Sequence, residues 1–102
     1  MGRSRTDLQD IFEEILESGS VYFQPPTNVK LVYPCIVYQR DYAKPEFADN
    51  SPYRNTKRYQ VTVIDRNPDT EIADKVEELP MCMFARYFPA DDLNHYVFNL
   101  YF

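Results

Sequence analysis

The sequence predicts a single α+β domain over residues 1–102: a small antiparallel or mixed β-sheet with two helices, in the order α-β-β-α-β-β, and a long loop between the first two main strands. Three observations carry this expectation. Two stretches, one near the start and one after residue 67, repeat apolar residues at helical spacing. Four segments rich in Val, Ile, Tyr and Phe fall into two pairs, one before and one after the second helical stretch. The chain has 102 residues and is 44 % hydrophobic, enough for one modest core and too little for two.

The first helix is expected from Thr6, a good N-cap, with Gln9 three residues on completing a capping box. Asp7 and Asp10 lie at the positive end of its dipole. Leu8, Ile11, Phe12, Ile15 and Leu16 form one apolar stripe, all expected to be buried, and Gly19 is expected to take the left-handed position that ends the helix. Residues 21–23 form a short extended piece stopped by Pro25 and Pro26. A strand is expected within 30–42. Pro34 cannot donate to a ladder and so makes the first half an edge, a bulge or a lead-in to the stronger residues 35–39.

The next strand is expected over 59–65, where Tyr59, Val61 and Val63 alternate with Gln60, Thr62 and Ile64. Between these strands lie residues 43–58, sixteen positions with Pro45, Pro52 and no apolar period. Such a loop is functional or loose, and it suggests a segment that becomes ordered on assembly. Asn67 is expected to cap the second helix with Pro68 at its first position. Ile72, Val76 and Leu79 make its buried stripe, Ala73 lies beside it and Pro80 stops it. A third strand over 81–88, a turn over 89–94 and a last strand over 96–102 complete the pattern. In the last strand Tyr96, Phe98, Leu100 and Phe102 share one face and Val97, Asn99 and Tyr101 the other.

Charge is segregated on a chain of net charge −5. Residues 3–17 carry a net −3 and residues 65–78 a net −4, whereas residues 40–58 carry a net +2. The acidic body argues against nucleic-acid binding by the whole surface. Nine Tyr and seven Phe are many for so small a core. Some rings therefore lie half-exposed on a sheet face or meet a partner subunit. The longest apolar runs are a few residues, so no membrane span is expected, and no cationic start leads into an apolar stretch, so no secretory leader is expected. Cys35 and Cys82, 47 positions apart, are neither a disulfide framework nor a metal motif.

No catalytic, cofactor or metal site is expected. His95 is the single histidine, and Asp91 and Asp92 before it read as turn residues. Ser4, Ser18, Ser20 and Ser51 lack a nucleophile-elbow context, and no glycine-rich loop cradles a phosphate. Glu13/Glu14 and Glu77/Glu78 are sequence neighbours and so point to different sides of their helices. The stretch from Tyr53 through Arg54, Lys57 and Arg58 to Tyr59 interleaves cations with rings. That mixture suits a nucleic-acid backbone, an acidic protein surface or a solvated loop alike.

Several segments together resemble the small tail-completion or tail-terminator proteins of long-tailed bacteriophages. They are the capped first helix, LVYPCIVY at 31–38, the strand–helix unit from RYQVTVIDR at 58–66 to ELP at 78–80, and the final hairpin with DDLNHY at 91–96. The resemblance covers nearly the whole chain and rests on element order and segment texture. It implies an α+β virion subunit that forms a homo-oligomeric ring, typically a hexamer. That ring would cap the tail tube, meet the tube protein and a head-completion or connector protein, and pass genomic DNA through its lumen without specific binding. It places the protein in the virion tail or neck after assembly in the host cytoplasm, and implies no catalytic residues. Phe47, Tyr53, Arg54, Lys57 and Arg58 are the candidate assembly contacts. The alternatives are a head-closure or other neck protein, and a stand-alone binding module that uses the basic loop 43–58.

Overall fold

The computed structural model describes residues 4–41 and 57–102. Helix α1 spans Arg5–Leu16, strand β1 Val21–Phe23, β2 Cys35–Arg40, β3 Arg58–Asp65, helix α2 Glu71–Glu77, β4 Cys82–Ala90 and β5 Leu93–Tyr101. The strands form one mixed sheet in the order β1-β2-β3-β5-β4. The fold is therefore α+β with a small five-stranded sheet and two helices. The element order is α-β-β-β-α-β-β and not α-β-β-α-β-β, because residues 21–23 pair in parallel with β2, Val21 opposite Ile36, and so count as a strand of their own.

The remaining pairs are antiparallel. Because β3 and β4 both run antiparallel to β5, they are parallel to each other, and α2 carries the chain from one to the other. Both helices lie on one face. Leu8, Phe12 and Leu16 of α1 and Ala73 and Val76 of α2 join Ile36, Tyr38, Tyr59, Val61, Val63, Phe98 and Leu100 in the main core. The period-2 alternation of β3 and β5 sends these rings and branched chains inward, and the 3.6 period of α1 sets Leu8 and Phe12 over them. Ile11 and Ile15 are only half-buried against this core, so the stripe of α1 is narrower than its apolar spacing predicts. The other face holds a small cluster of Cys35, Ile64 and Leu93, covered by Leu31 and Tyr33 from the connection between β1 and β2.

The helix ends differ from expectation. Ser4, not Thr6, caps α1: its backbone is extended and its hydroxyl accepts from the Asp7 amide at 3.3 Å, while Thr6 shares a hydrogen bond with Ser4 at 3.0 Å. Both residues are of capping type, and the one with non-helical backbone takes the role. Gln9, free of a capping box, reaches the sheet, where its amide donates to the Val21 carbonyl at 3.2 Å and accepts from the Tyr38 hydroxyl. Glu17, φ 59°, ends the helix in the left-handed conformation, and Gly19 does not have positive φ. Thr70, not Asn67, caps α2 and accepts from the Ile72 amide at 3.1 Å. Asn67 instead accepts from the Asp69 amide at 3.0 Å, a turn that delays the helix by three residues. Pro68 therefore precedes the helix and is not its first residue.

The strand bounds shift as well. β2 begins only at Cys35, after the Tyr33–Pro34 cis peptide. β4 runs on through Pro89 to Ala90 and β5 starts at Leu93, so the turn shrinks from the expected six residues to Asp91 and Asp92. Both have positive φ, 54° and 62°, the conformation whose twist suits a two-residue hairpin. Pro89 is accommodated because β4 is an edge strand.

Candidate assembly surface

β4 closes one side of the sheet and pairs only with β5 among the described residues. Its nine residues are exposed along nearly their whole length, yet their composition is that of a buried strand. Met83 is 65 % exposed, Phe84 48 %, Tyr87 47 % and Phe88 36 %. A register shift between Phe84 and Arg86 explains the arrangement. The extra residue, Ala85, keeps both Phe84 and Tyr87 on the face that carries the helices, opposite Phe98 and Tyr96. Met83, Arg86 and Phe88 then lie on the other face, opposite Asn99, Val97 and His95.

Each exposed ring is held by a neighbour. Phe84 meets Phe98 edge-on at 5.7 Å, Tyr87 lies 5.2 Å from Tyr96, and Phe88 stacks on His95 at 4.7 Å with Arg86 at 5.7 Å from its ring. The Tyr87 hydroxyl donates to Asn94 Oδ1 at 2.7 Å, and the Asn94 amide donates to the Arg66 carbonyl at 3.3 Å. Rings so placed present apolar area with little rotamer entropy left to lose, the property of interface anchors.

Between α2 and β4 runs an open groove of about 490 Å³. Phe84, Tyr87 and Tyr96 line its aromatic side and Asp69, Asp74 and Glu77 its acidic side. Tyr96 donates to the Pro68 carbonyl at 3.2 Å. Burial first, then Tyr87 and the carboxylates of Asp65, Asp69 and Asp74, push its phenol above the ordinary tyrosine value. The groove is thus a place where negative charge already accumulates.

The residues singled out in the sequence are scattered. Phe47, Tyr53 and Arg54 lie outside the described residues, as does most of the 43–58 stretch. Lys57 is exposed, and its backbone exchanges two hydrogen bonds with Phe102, at 2.9 and 2.8 Å, pinning the final strand to the start of β3. Arg58 is not a loop residue. It opens β3, and its guanidinium pairs with Asp41 at 3.2 Å. His95 stacks on Phe88 while its Nδ1 is buried without a hydrogen-bond partner. Among the described residues no three His, Cys, Asp or Glu side chains converge as a metal site requires. No described helix is long and apolar enough to cross a membrane.

The surface of β4 was missed by sequence reasoning, although a signal was present. CMFARYFPA does not alternate, carries apolar residues on both faces, and contains a proline that only an edge tolerates. Comparison of the chain with protein-family models, curated proteins and solved structures finds no match.

Proposed function

We propose that this protein is a virion structural subunit of a long-tailed bacteriophage that assembles into a homo-oligomeric ring, caps the tail tube and takes part in joining head to tail. One observation carries the reading: a nine-residue edge strand that exposes Met83, Phe84, Tyr87 and Phe88 and leaves one side of its backbone unpaired within the described residues. Such an edge is a template for another chain, and a subunit of an assembly is where it is tolerated. The resemblance in segment texture supplies the particular assembly, a typically hexameric ring between the tube protein and a head-completion or connector protein. A head-closure position in the same neck uses the same surface. An acidic body supports a lumen through which DNA passes without adhering, since phosphate contacts dominate affinity for DNA.

The test is the oligomeric state by native mass spectrometry, together with complementation of a phage lacking this gene. Rings in solution and restored tails of normal length are the expected results. A strict monomer at all concentrations, with no effect of the gene on tails, overturns the reading.

A further inference from the structure

The acidic, aromatic groove between α2 and β4 has a complementary partner in the same sequence. Asp69, Asp74 and Glu77 stand over Phe84, Tyr87 and Tyr96, and no ion pair within the described residues occupies these three carboxylates. The chain's one basic stretch, residues 40–58 with net +2, includes Tyr53, Arg54 and Lys57. It joins the end of β2 to the start of β3, whereas the groove is built on α2 and the edge strand β4. We propose that the groove of one subunit receives the segment 53–57 of a second copy, with Arg54 and Lys57 held between the carboxylates and the ring faces.

The chemistry suits this occupant. A guanidinium or ammonium gains from carboxylates and from aromatic faces together, most where water is partly excluded. Tyr53 adds an apolar ring next to the exposed Phe84. The geometry also has a consequence for assembly. Donor segment and acceptor groove are different surfaces, so the contact is heterologous. With one such contact per pair of subunits the arrangement closes into a ring or runs on as a filament, whereas two reciprocal contacts give a two-fold dimer. The inference rests on the ring reading above and names the contact that makes the ring.

Two charge-reversed chains test it. R54E/K57E changes the donor and D74K/E77K the acceptor, and Lys57, Asp74 and Glu77 lie outside the core. Each variant alone is expected to keep its thermal melt and to associate about 10–100-fold more weakly than wild type, with sensitivity to salt lost in parallel. An equimolar mixture of the two is expected to recover assembly, because every interface then pairs opposite charges again. Wild-type association with no effect of either variant overturns the contact and leaves the ring reading standing. Weakening by both variants without rescue on mixing shows that segment and groove do not meet across subunits, and also overturns it. If wild type is monomeric, the ring reading falls, and a synthetic peptide of residues 51–57 decides the groove separately. Shifts of the Phe84 and Tyr87 NMR signals, absent in D74K/E77K, support it as the receptor, and their absence in wild type overturns it.

Discussion

Tyr38 shows how a single side chain ties the helix to the sheet. Its ring is fully buried beside Phe12 at 5.1 Å, Phe23 at 5.0 Å and Tyr59 at 6.0 Å. Its hydroxyl donates to Gln9 and accepts from Arg5 at 3.1 Å, and the Arg5 guanidinium also lies 4.6 Å from the Phe23 ring. Tyr38→Phe keeps the packing but strands these polar partners, and is expected to lower stability by about 1–2 kcal/mol in urea titration. Phe12→Ala removes a wholly buried ring and should remove about 3–5 kcal/mol, whereas the half-buried Ile15→Ala should remove about 1–2 kcal/mol. Equal melting shifts for the two would contradict the packing of α1. The cysteines make a pH prediction. Burial, and secondarily Asp65, pushes the Cys35 thiol up to about 12, and burial with Glu77 pushes Cys82 up to about 11, both from 9.0. A folded-state value raised in this way favours the protonated native protein. Stability from these thiols is therefore complete below pH 9 and is lost as the pH rises from 9 through 11 and 12. Thiol-reagent labelling at pH 8 is expected to be slow at both, and slower at the fully buried Cys35.

At the scale of elements, β4 and its hairpin are the informative pair. Asp91 and Asp92 both hold positive φ without being glycine. D91N/D92G, which supplies residues suited to a type I′ turn, is expected to raise stability by about 1 kcal/mol in thermal melts. Met83→Lys places a charge on an already exposed position of the edge strand. Its effect on the monomer is expected to stay within about 0.5 kcal/mol, while assembly weakens, because an edge lysine opposes the addition of another strand. Unchanged assembly would remove β4 from the interface.

The whole molecule is an elongated body, 43 by 25 by 24 Å over its described residues. Asp41 and Arg58, on either side of residues 42–56, are held next to each other, since the Asp41 amide donates to the Arg58 carbonyl at 2.8 Å and Arg58 pairs with Asp41. Replacing residues 47–56 by a two-residue turn is therefore expected to leave the domain folded, because shortening a loop changes closure by only about 0.6 kcal/mol per halving. It removes Phe47, Tyr53 and Arg54, and a phage complemented with this version is expected to lose infectious titre. Normal titre and normal tails would remove the segment from assembly, and loss of the folded monomer would assign it to the core.

Periodicity was enough to identify both helices, the position of β3 and part of the main core, such as Leu8, Phe12, Leu16, Ala73 and Val76. These depend on local spacing, on which side chain follows which at 2 or 3.6 positions. By contrast, Ile11, Ile15, Ile72 and Leu79 are only half-buried and β5 starts three residues early, at Leu93. The cap residues were of the right type but at the wrong place, since Ser4 competes with Thr6 and Thr70 with Asn67, and only backbone conformation chooses between them. Arg58 belongs to β3 through its backbone pairing with Tyr101, a long-range contact that local spacing does not reveal, and its side chain pairs with Asp41. The order β1-β2-β3-β5-β4, and with it the exposure of Met83, Phe84, Tyr87 and Phe88, was decided by tertiary structure alone. A strand rich in rings reads the same whether it lies at the centre or the edge of a sheet. Which it is depends on long-range pairing, and here α2 carries the chain past β5 and leaves β4 outermost.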